Sequence, residues 1–136
     1  FAALIGLNCV AIQGPNVWLF DAAGNGIGSN NTCSGGSKMI IGSATPLPPG
    51  NYYVAVSYFF NDPQSAGGAM WLPGPPVSRA PDGPGAGGTL MGWAGTPLVQ
   101  PLNPYQVFFN PDFSFCDAAT SVLRPTWGAL KLHYAR

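Results

Sequence analysis

One aromatic run constrains the fold of this chain more than any other stretch. Residues 48–50, Pro-Pro-Gly, are typical of a tight turn, and residues 52–60 are rich in aromatic and β-branched side chains, as in a β-strand. Alternate residues of a strand point to opposite faces, and we expect the bulkier set to face the core: Tyr52, Val54, Val56, Tyr58 and Phe60. The other set is smaller and more mixed: Tyr53, Ala55, Ser57 and Phe59. The run therefore predicts a central strand of a β-sandwich.

The composition favours one all-β domain with long connections. Of the 136 residues, 7% are charged, against roughly 25% in an average domain, and the formal net charge is zero. Such a surface offers no electrostatic footprint for nucleic acid or for an anionic membrane. The chain holds 19 glycines and 15 prolines, yet 46% of it is hydrophobic, which is too much apolar surface for a disordered chain.

The remaining strands are predicted from short apolar runs between turn residues. They lie at residues 1–12, 17–20, 38–41, 69–72, 89–93 and 105–109. Residues 73–88 are predicted to form a long surface loop or flap, and residues 61–63 to end the central strand. A short helix is predicted at 118–123. The tail after it fits a helical face (Trp127, Leu130, Tyr134) as well as a strand face (Leu130, Leu132, Tyr134).

Cys9, Cys33 and Cys116 fit no metal-binding spacing, since there is no C-x-x-C motif and one histidine. With so few charges, an extracellular protein with one disulfide is favoured over three buried reduced cysteines, which is the alternative. The preferred pair is Cys9–Cys33, since both flank the same early strands, and Cys116 is then free or paired outside this chain. No apolar run is long enough for a transmembrane helix, and Phe1 is expected to be a processed or trimmed end.

Four phrases resemble bacterial pre-peptidase C-terminal-like (PPC-like) domains. They are Leu-Phe-Asp-Ala-Ala-Gly-Asn-Gly at 19–26, Leu-Pro-Pro-Gly-Asn-Tyr-Tyr-Val-Ala-Val at 47–56, Asn-Asp-Pro-Gln-Ser-Ala-Gly-Gly at 61–68, and the Gly-rich run at 85–93. The resemblance implies a secreted, non-catalytic, jelly-roll-like antiparallel β-sandwich at residues 1–110, with residues 111–136 as a C-terminal extension. Such domains normally have strands before the position of Phe1, so this chain is expected to lack part of a sheet. The tail is similar to short Trp-Gly…Lys…Tyr-Arg endings of some secreted bacterial proteins.

The residues give little support for catalysis. His133 is the single histidine, no G-x-S-x-G motif is present, and each aspartate lies beside a turn former, where capping explains it. We therefore predict no enzyme activity and no cofactor. Asp21 and Asn25, with Asn30 and Asn31, offer oxygen ligands for calcium, but only one carboxylate is present, and Asp21 and Asn25 are otherwise explained as turn residues.

Two binding features have simpler alternatives. Trp71 and Trp93 flank the Gly/Pro-rich loop and would stack on sugar rings if exposed, or else cover the open end of the sandwich. Asn30-Asn31-Thr32 is an N-x-T sequon, which makes Asn30 a glycosylation candidate or a chance match.

The function predicted from these features is assembly. A sheet that lacks a strand has an open edge, which a neighbouring copy of the chain fills by β-strand addition, and head-to-tail donation builds a filament. The candidate assembly residues lie near the two ends of the chain: Phe1, Leu4, Ile5, Leu7, Trp127, Leu130, Leu132 and Tyr134. We predict an extracellular or cell-surface structural subunit with copies of itself as partner. The alternatives are a trimmed monomer and a carbohydrate-binding module of a secreted enzyme.

Overall fold

The computed structural model describes residues 5–9, 16–30, 38–41, 47–57, 61–74, 77–95, 105–109, 113–115 and 128–134. Every helix or strand element in these ranges is a strand, which confirms an all-β fold for the described part of the chain. In chain order the strands are β1 (Ile5–Cys9), β2 (Asn16–Asp21), β3 (Gly26–Asn30), β4 (Lys38–Ile41), β5 (Gly50–Ser57), β6 (Asp62–Ser65), β7 (Gly68–Ala69), β8 (Gly92–Ala94), β9 (Tyr105–Phe109), β10 (Phe113–Phe115) and β11 (Gly128–Tyr134). No helix long and apolar enough to cross a membrane occurs in these ranges.

The strands form three antiparallel sheets. The largest has the order β10-β11-β5-β2-β3, and two three-stranded sheets have the orders β4-β1-β9 and β7-β6-β8. The strand β5 therefore lies in the middle of the largest sheet, as the sequence predicts. It begins directly after Pro48 and Pro49, and the Tyr52 hydroxyl donates a 2.5 Å hydrogen bond to the Pro48 carbonyl, which ties the strand to its turn. Residues 58–60, predicted to continue the strand, lie outside the described residues.

Both faces of the β2–β5 pair are buried: the face predicted to be the core is buried where it is described, and the smaller, more mixed face is buried as well. On one face Val17, Leu19 and Val54 are each 1% exposed, together with buried Tyr52 and Val56. The opposite face is buried as well, and its core cluster consists of Trp18, Phe20, Ala55, Met70 and Trp71. The smaller residues of β5 face the core because Met70 and Trp71, which follow β7 in the chain, pack on them.

The region after β5 differs from the prediction in its strands. Residues 61–63 do not simply end the central strand, because β6 begins at Asp62 and pairs with both β7 and β8. The strand predicted at 69–72 corresponds to the short β7, after which Met70 and Trp71 enter the core.

Residues 77–91, here called the Gly/Pro segment, are held by backbone hydrogen bonds. Gly83 N donates to Met70 O at 3.0 Å, and Gly85 N donates to Ala69 O at 2.8 Å. The buried Ser65 hydroxyl donates to Gly85 O at 2.8 Å. This segment overlaps the surface loop or flap predicted at residues 73–88, and around Gly83 and Gly85 it is packed closely on β6 and β7.

The tail is a strand where it is described, which decides between the two periodicities. The strand β11 pairs with β5 on one side and with β10 on the other. The helix predicted at 118–123 lies outside the described residues. The division into a domain at 1–110 and an extension at 111–136 stays a prediction, and the β5–β11 ladder joins residues from both sides of that boundary.

Gly85 is expected to tolerate no side chain. A Cβ atom there would lie 2.2 Å from Gly68 O and 2.5 Å from Ser65 Oγ, whereas at the exposed Gly87 it would meet nothing within 4 Å. We expect Gly85→Ala to lower the free energy of unfolding by about 2 kcal/mol, since backbone must move, and Gly87→Ala to change it by less than ~0.5 kcal/mol. Urea denaturation of both variants measures this, and equal effects would contradict the close packing.

Candidate functional site

The described parts of the two stretches predicted to mediate assembly, β1 and β11, are both interior strands. Along β11, seven residue pairs join it to β5, from Gly128↔Val56 to Tyr134↔Gly50, and three join it to β10. Along β1, four pairs join it to β4 and five to β9. Each of these strands thus occupies a position with an acceptor strand on both sides, within one chain.

The predicted assembly residues that are described lie at ladder positions. Leu130 and Leu132 are the register partners of Val54 and Tyr52 in β5, and Leu132 also pairs with Phe115 of β10. The others at ladder positions are Tyr134 in β11 and Ile5 and Leu7 in β1. Phe1, Leu4 and Trp127 lie outside the described residues. The structure thus places residues from both ends of the chain in sheet interiors, while their role in assembly stays a prediction.

The connection that precedes β11 is long. The strand β10 ends at Phe115 and β11 begins at Gly128, so residues 116–127 join two strands that are neighbours in the sheet. Most hairpins use loops of about 2–5 residues, and a stretch of this length reaches ~40 Å when extended.

Four aromatic rings cover the second face of the β2–β5 pair, and we call them the aromatic cluster: Trp18, Phe20, Trp71 and Trp93. The ring centroids of Trp18 and Trp71 are 5.0 Å apart, and Trp93 meets Trp18 edge-on at 6.2 Å. Phe20 also meets both Trp71 and Trp93 edge-on. Tilted and edge-to-face contacts of this kind are the favoured geometries for aromatic pairs.

The indole N–H groups of Trp18 and Trp71 both donate hydrogen bonds within the protein. Trp18 Nε1 donates to Ser57 Oγ at 2.8 Å, and that hydroxyl donates to Asn61 O at 2.8 Å. Trp71 Nε1 donates to Arg79 O at 3.4 Å, which links the cluster to the Gly/Pro segment. No local sequence pattern predicts these bonds, because their partners are distant along the chain or belong to an irregular segment.

The two tryptophans predicted for sugar stacking have different environments. Trp71 is 2% exposed and presents no open ring face in this conformation. Trp93 is half-buried, two residues after Met91, which is 73% exposed. Trp71 packs on a face of the β2–β5 pair, and whether the rings cover an open end of a sandwich stays a prediction. A stacking role also stays a prediction, and it depends on Trp93.

The candidate calcium residues form the turn between β2 and β3. Asp21 Oδ1 accepts hydrogen bonds of 2.9 Å from the backbone N–H groups of Ala23 and Asn25, and Asp21 Oδ2 accepts one of 2.8 Å from Asn25 Nδ2. Gly24 completes the turn with φ of 88°, a conformation that favours glycine. Both carboxylate oxygens are therefore used by the turn. In the described ranges no three His, Cys, Asp or Glu side chains gather as metal ligands would.

Two further predicted sites can be placed only in part. Asn30 is 7% exposed within β3, whereas a glycosylation acceptor must be accessible, so this conformation does not present it. Cys9 lies in β1, while Cys33 and Cys116 lie outside the described residues. The disulfide therefore stays a prediction.

A charged group that the sequence analysis missed lies beside the aromatic cluster. Arg79 Nη1 forms an ion pair of 2.7 Å with Asp82 Oδ2, and Arg79 Nη2 donates to Leu72 O. The Leu72 N–H in turn donates to Asp82 Oδ1 at 2.9 Å. Arg79 and Asp82 are three residues apart in an otherwise uncharged stretch, and that spacing was the available signal.

The pKa values of two aspartates are shifted in opposite directions. Burial raises the pKa of the Asp62 carboxyl, and the nearby positive charge of Arg79 offsets only part of this effect. Burial also acts to raise the pKa of Asp21, but the hydrogen bonds from Asn25, Ala23 and Gly24 outweigh it, so that pKa is lowered. Neither shift comes with a second acid or base placed for catalysis in the described part of the chain.

No protein-family model, curated protein or solved structure matches this chain at a significant level.

The opposite shifts of Asp21 and Asp62 predict opposite pH dependences. The folded-state pKa of Asp21 lies below 3.8, so its contribution to stability is present above that pH and is lost as the pH falls through the folded pKa. The folded-state pKa of Asp62 lies above 3.8, so its contribution is present below that pH and is lost as the pH rises through the folded pKa.

We therefore expect Asp62→Asn to gain free energy of unfolding relative to wild type as the pH rises from about 2.5 to 7, and Asp21→Asn to lose it over the same range. Urea denaturation at several pH values measures both differences. If the free energies of unfolding of both variants, relative to wild type, change in the same direction with pH, the environments described for Asp21 and Asp62 are contradicted.

Proposed function

We propose that this protein is a non-catalytic structural subunit of an extracellular or cell-surface assembly, in which copies are joined by β-strand addition with β11 as the exchanged strand. The proposed architecture is a jelly-roll-like β-sandwich of the PPC-like type, as the four sequence phrases suggest. The observation that carries the proposal is the position of β11, an interior strand held by a seven-pair ladder to β5 and joined to β10 by residues 116–127.

Backbone pairing is the physical basis for exchange. The hydrogen bonds that join β11 to β5 depend on register and on extended backbone, and a strand from a second copy makes the same bonds. The side chains of Tyr52, Val54 and Val56 are buried at the acceptor strand, so an empty position beside β5 would expose backbone groups within a buried sheet. An acceptor of this kind stays filled, either by its own chain or by a neighbour.

The length of residues 116–127 allows either arrangement. If two copies exchange β11 reciprocally, the product is a closed dimer; if each copy donates to the next, the product is an open filament. The low charge also favours contact between copies, since 7% charged residues and zero net charge give little repulsion. We favour the open arrangement, in line with the head-to-tail donation predicted from the sequence.

A carbohydrate-binding module is the second candidate function. The observation that favours it is the partial exposure of Trp93 close to the exposed Met91, on the edge of the aromatic cluster. Aromatic faces beside apolar side chains suit the apolar faces of sugar rings. Trp93 would be the principal contact, because Trp71 is buried.

Strand exchange predicts a specific cross-link between two different chains. Ala129 of β11 is the register partner of Ala55 of β5. We expect a mixture of chains carrying only Ala129→Cys and chains carrying only Ala55→Cys to give a disulfide between positions 129 and 55 under oxidation, identified by mass spectrometry. Ala22→Cys, in the exposed β2–β3 turn, replaces Ala55→Cys in the control mixture, which should give no such link.

Electron microscopy of the native protein accompanies this experiment and should show ordered filaments. A native protein that stays monomeric at all concentrations, with no 129–55 link above the control, would sink the strand-addition proposal.

The carbohydrate alternative predicts binding that depends on Trp93. In affinity electrophoresis through gels that contain a polysaccharide, we expect the wild-type protein to be retarded. Trp93→Ala should weaken binding by about tenfold or more, because one stacking aromatic group is lost. Leu72→Ala is the matched control, since Leu72 is half exposed but is not part of the aromatic cluster. If the wild-type protein is not retarded, or if Trp93→Ala is retarded as much as wild type, carbohydrate binding through Trp93 is excluded for the polysaccharides tested.

A further inference from the structure

The outer edge of β3 poses a physical problem for a chain that assembles through strands. The strand β3 ends the five-stranded sheet, so one side of its backbone has no strand partner in that sheet. An open edge of this kind pairs readily with any extended segment of another chain. With zero net charge over 136 residues, repulsion between copies does little to prevent such pairing.

The Gly/Pro segment covers this edge at both ends. At one end Ser29 N donates to Arg79 O at 2.9 Å and Arg79 N donates to Ser29 O at 3.0 Å, a reciprocal antiparallel pair. At the other end Asn25 and Thr89 form a second antiparallel bridge, and Leu90 N donates to Gly24 O at 2.9 Å. The segment therefore meets the edge at two points ten residues apart in its own sequence.

Between these two points the described residues of the segment form no further bridge to β3, and Pro81 packs on the face of the strand. A Cβ atom at Gly26 would lie 2.6 Å from Trp71 Cη2 and 2.8 Å from Pro81 Cγ, so both rings press against the β3 backbone. Proline has no backbone N–H and cannot continue a ladder. With Pro81 and Pro84 in the segment, its own outer side is a poor template for another strand.

Arg79 holds the covering segment in place. Its carbonyl accepts from both Ser29 N and Trp71 Nε1, and its guanidinium reaches Asp82 and the Leu72 carbonyl. The ion pair is partly open to solvent, with side-chain exposures of 19% for Arg79 and 45% for Asp82. Pairs with this exposure contribute modestly, so the contact is one that a single substitution can loosen.

We infer that residues 77–91 are an edge cover that blocks strand addition by a second copy of this chain at β3. The Arg79–Asp82 ion pair stabilises the covering conformation. The inference rests on the proposed function in one respect: the edge cover leaves the β11 position as the place where strand addition occurs. In the closed cover, Ser29 N–H and C=O are bonded to Arg79; once it opens, both groups face an incoming strand.

The test compares three variants of the full chain. Arg79→Ala and Asp82→Ala each break the ion pair, while Ser78→Ala removes an exposed side chain from the same segment and is the matched control. We expect amide hydrogen exchange of Ser29 to be faster by roughly fivefold in both ion-pair variants, as loss of about 1 kcal/mol of local stability gives, and unchanged in Ser78→Ala. Light scattering should show additional association of both variants at concentrations where the control behaves as wild type.

The outcomes separate this inference from the proposed function. If exchange at Ser29 and light scattering in both ion-pair variants equal those of the control, the inference is overturned. If Arg79→Ala unfolds, Asp82→Ala carries the test, because the Arg79 side chain and its hydrogen bond to Leu72 O remain in that variant. The disulfide between positions 129 and 55 reports on β11 alone. If this disulfide does not form but Ser29 exchanges faster in the ion-pair variants, strand donation by β11 is overturned and the edge cover is supported.

Discussion

The burial of both faces of the β2–β5 pair is the constraint on which the rest of the described structure depends. Val17, Leu19 and Val54 fill one face, and Trp18 and Phe20 fill the other. A pair buried on both sides cannot leave backbone groups unpaired at its edges, because no water is there to satisfy them. The edges must therefore be closed by strands, and β11 beside β5 and β3 beside β2 do so.

Covering the second face requires close approach of backbone, and glycine and proline make it possible. The Gly/Pro segment reaches β7 closely enough that a Cβ atom at Gly83 would lie 2.3 Å from Ala69 O. This packing keeps Met70 and Trp71 against the sheet and brings the Arg79 carbonyl to Trp71 Nε1. A composition that resembles that of a disordered linker thus serves as a tightly fitted covering layer, because glycine lets two backbones approach closely and the ring of proline fixes φ in advance.

The sequence predicted features that depend on local pattern and missed those that depend on distant partners. The strand β5 and the turn at Asp21 follow from alternation and turn chemistry, and the structure has both. The second buried face was missed because Ala55 and Ser57 look half-polar until Trp18 and Trp71 pack beside them. The tail was ambiguous because leucines two apart fit a strand and residues four apart fit a helix, and pairing with β5 decides the matter.

The two sides of the β2–β5 pair are closed in different ways. This asymmetry makes the proposed directed assembly physically reasonable. Beyond β3, a segment with prolines closes the edge and offers little to a further strand. Beside β5, the edge is closed by a regular seven-pair strand on a long connection, which another copy can supply without changing a hydrogen bond. In a chain with 7% charged residues, electrostatics cannot choose between edges, so in the proposed assembly backbone pairing and its obstruction would set where a second copy binds.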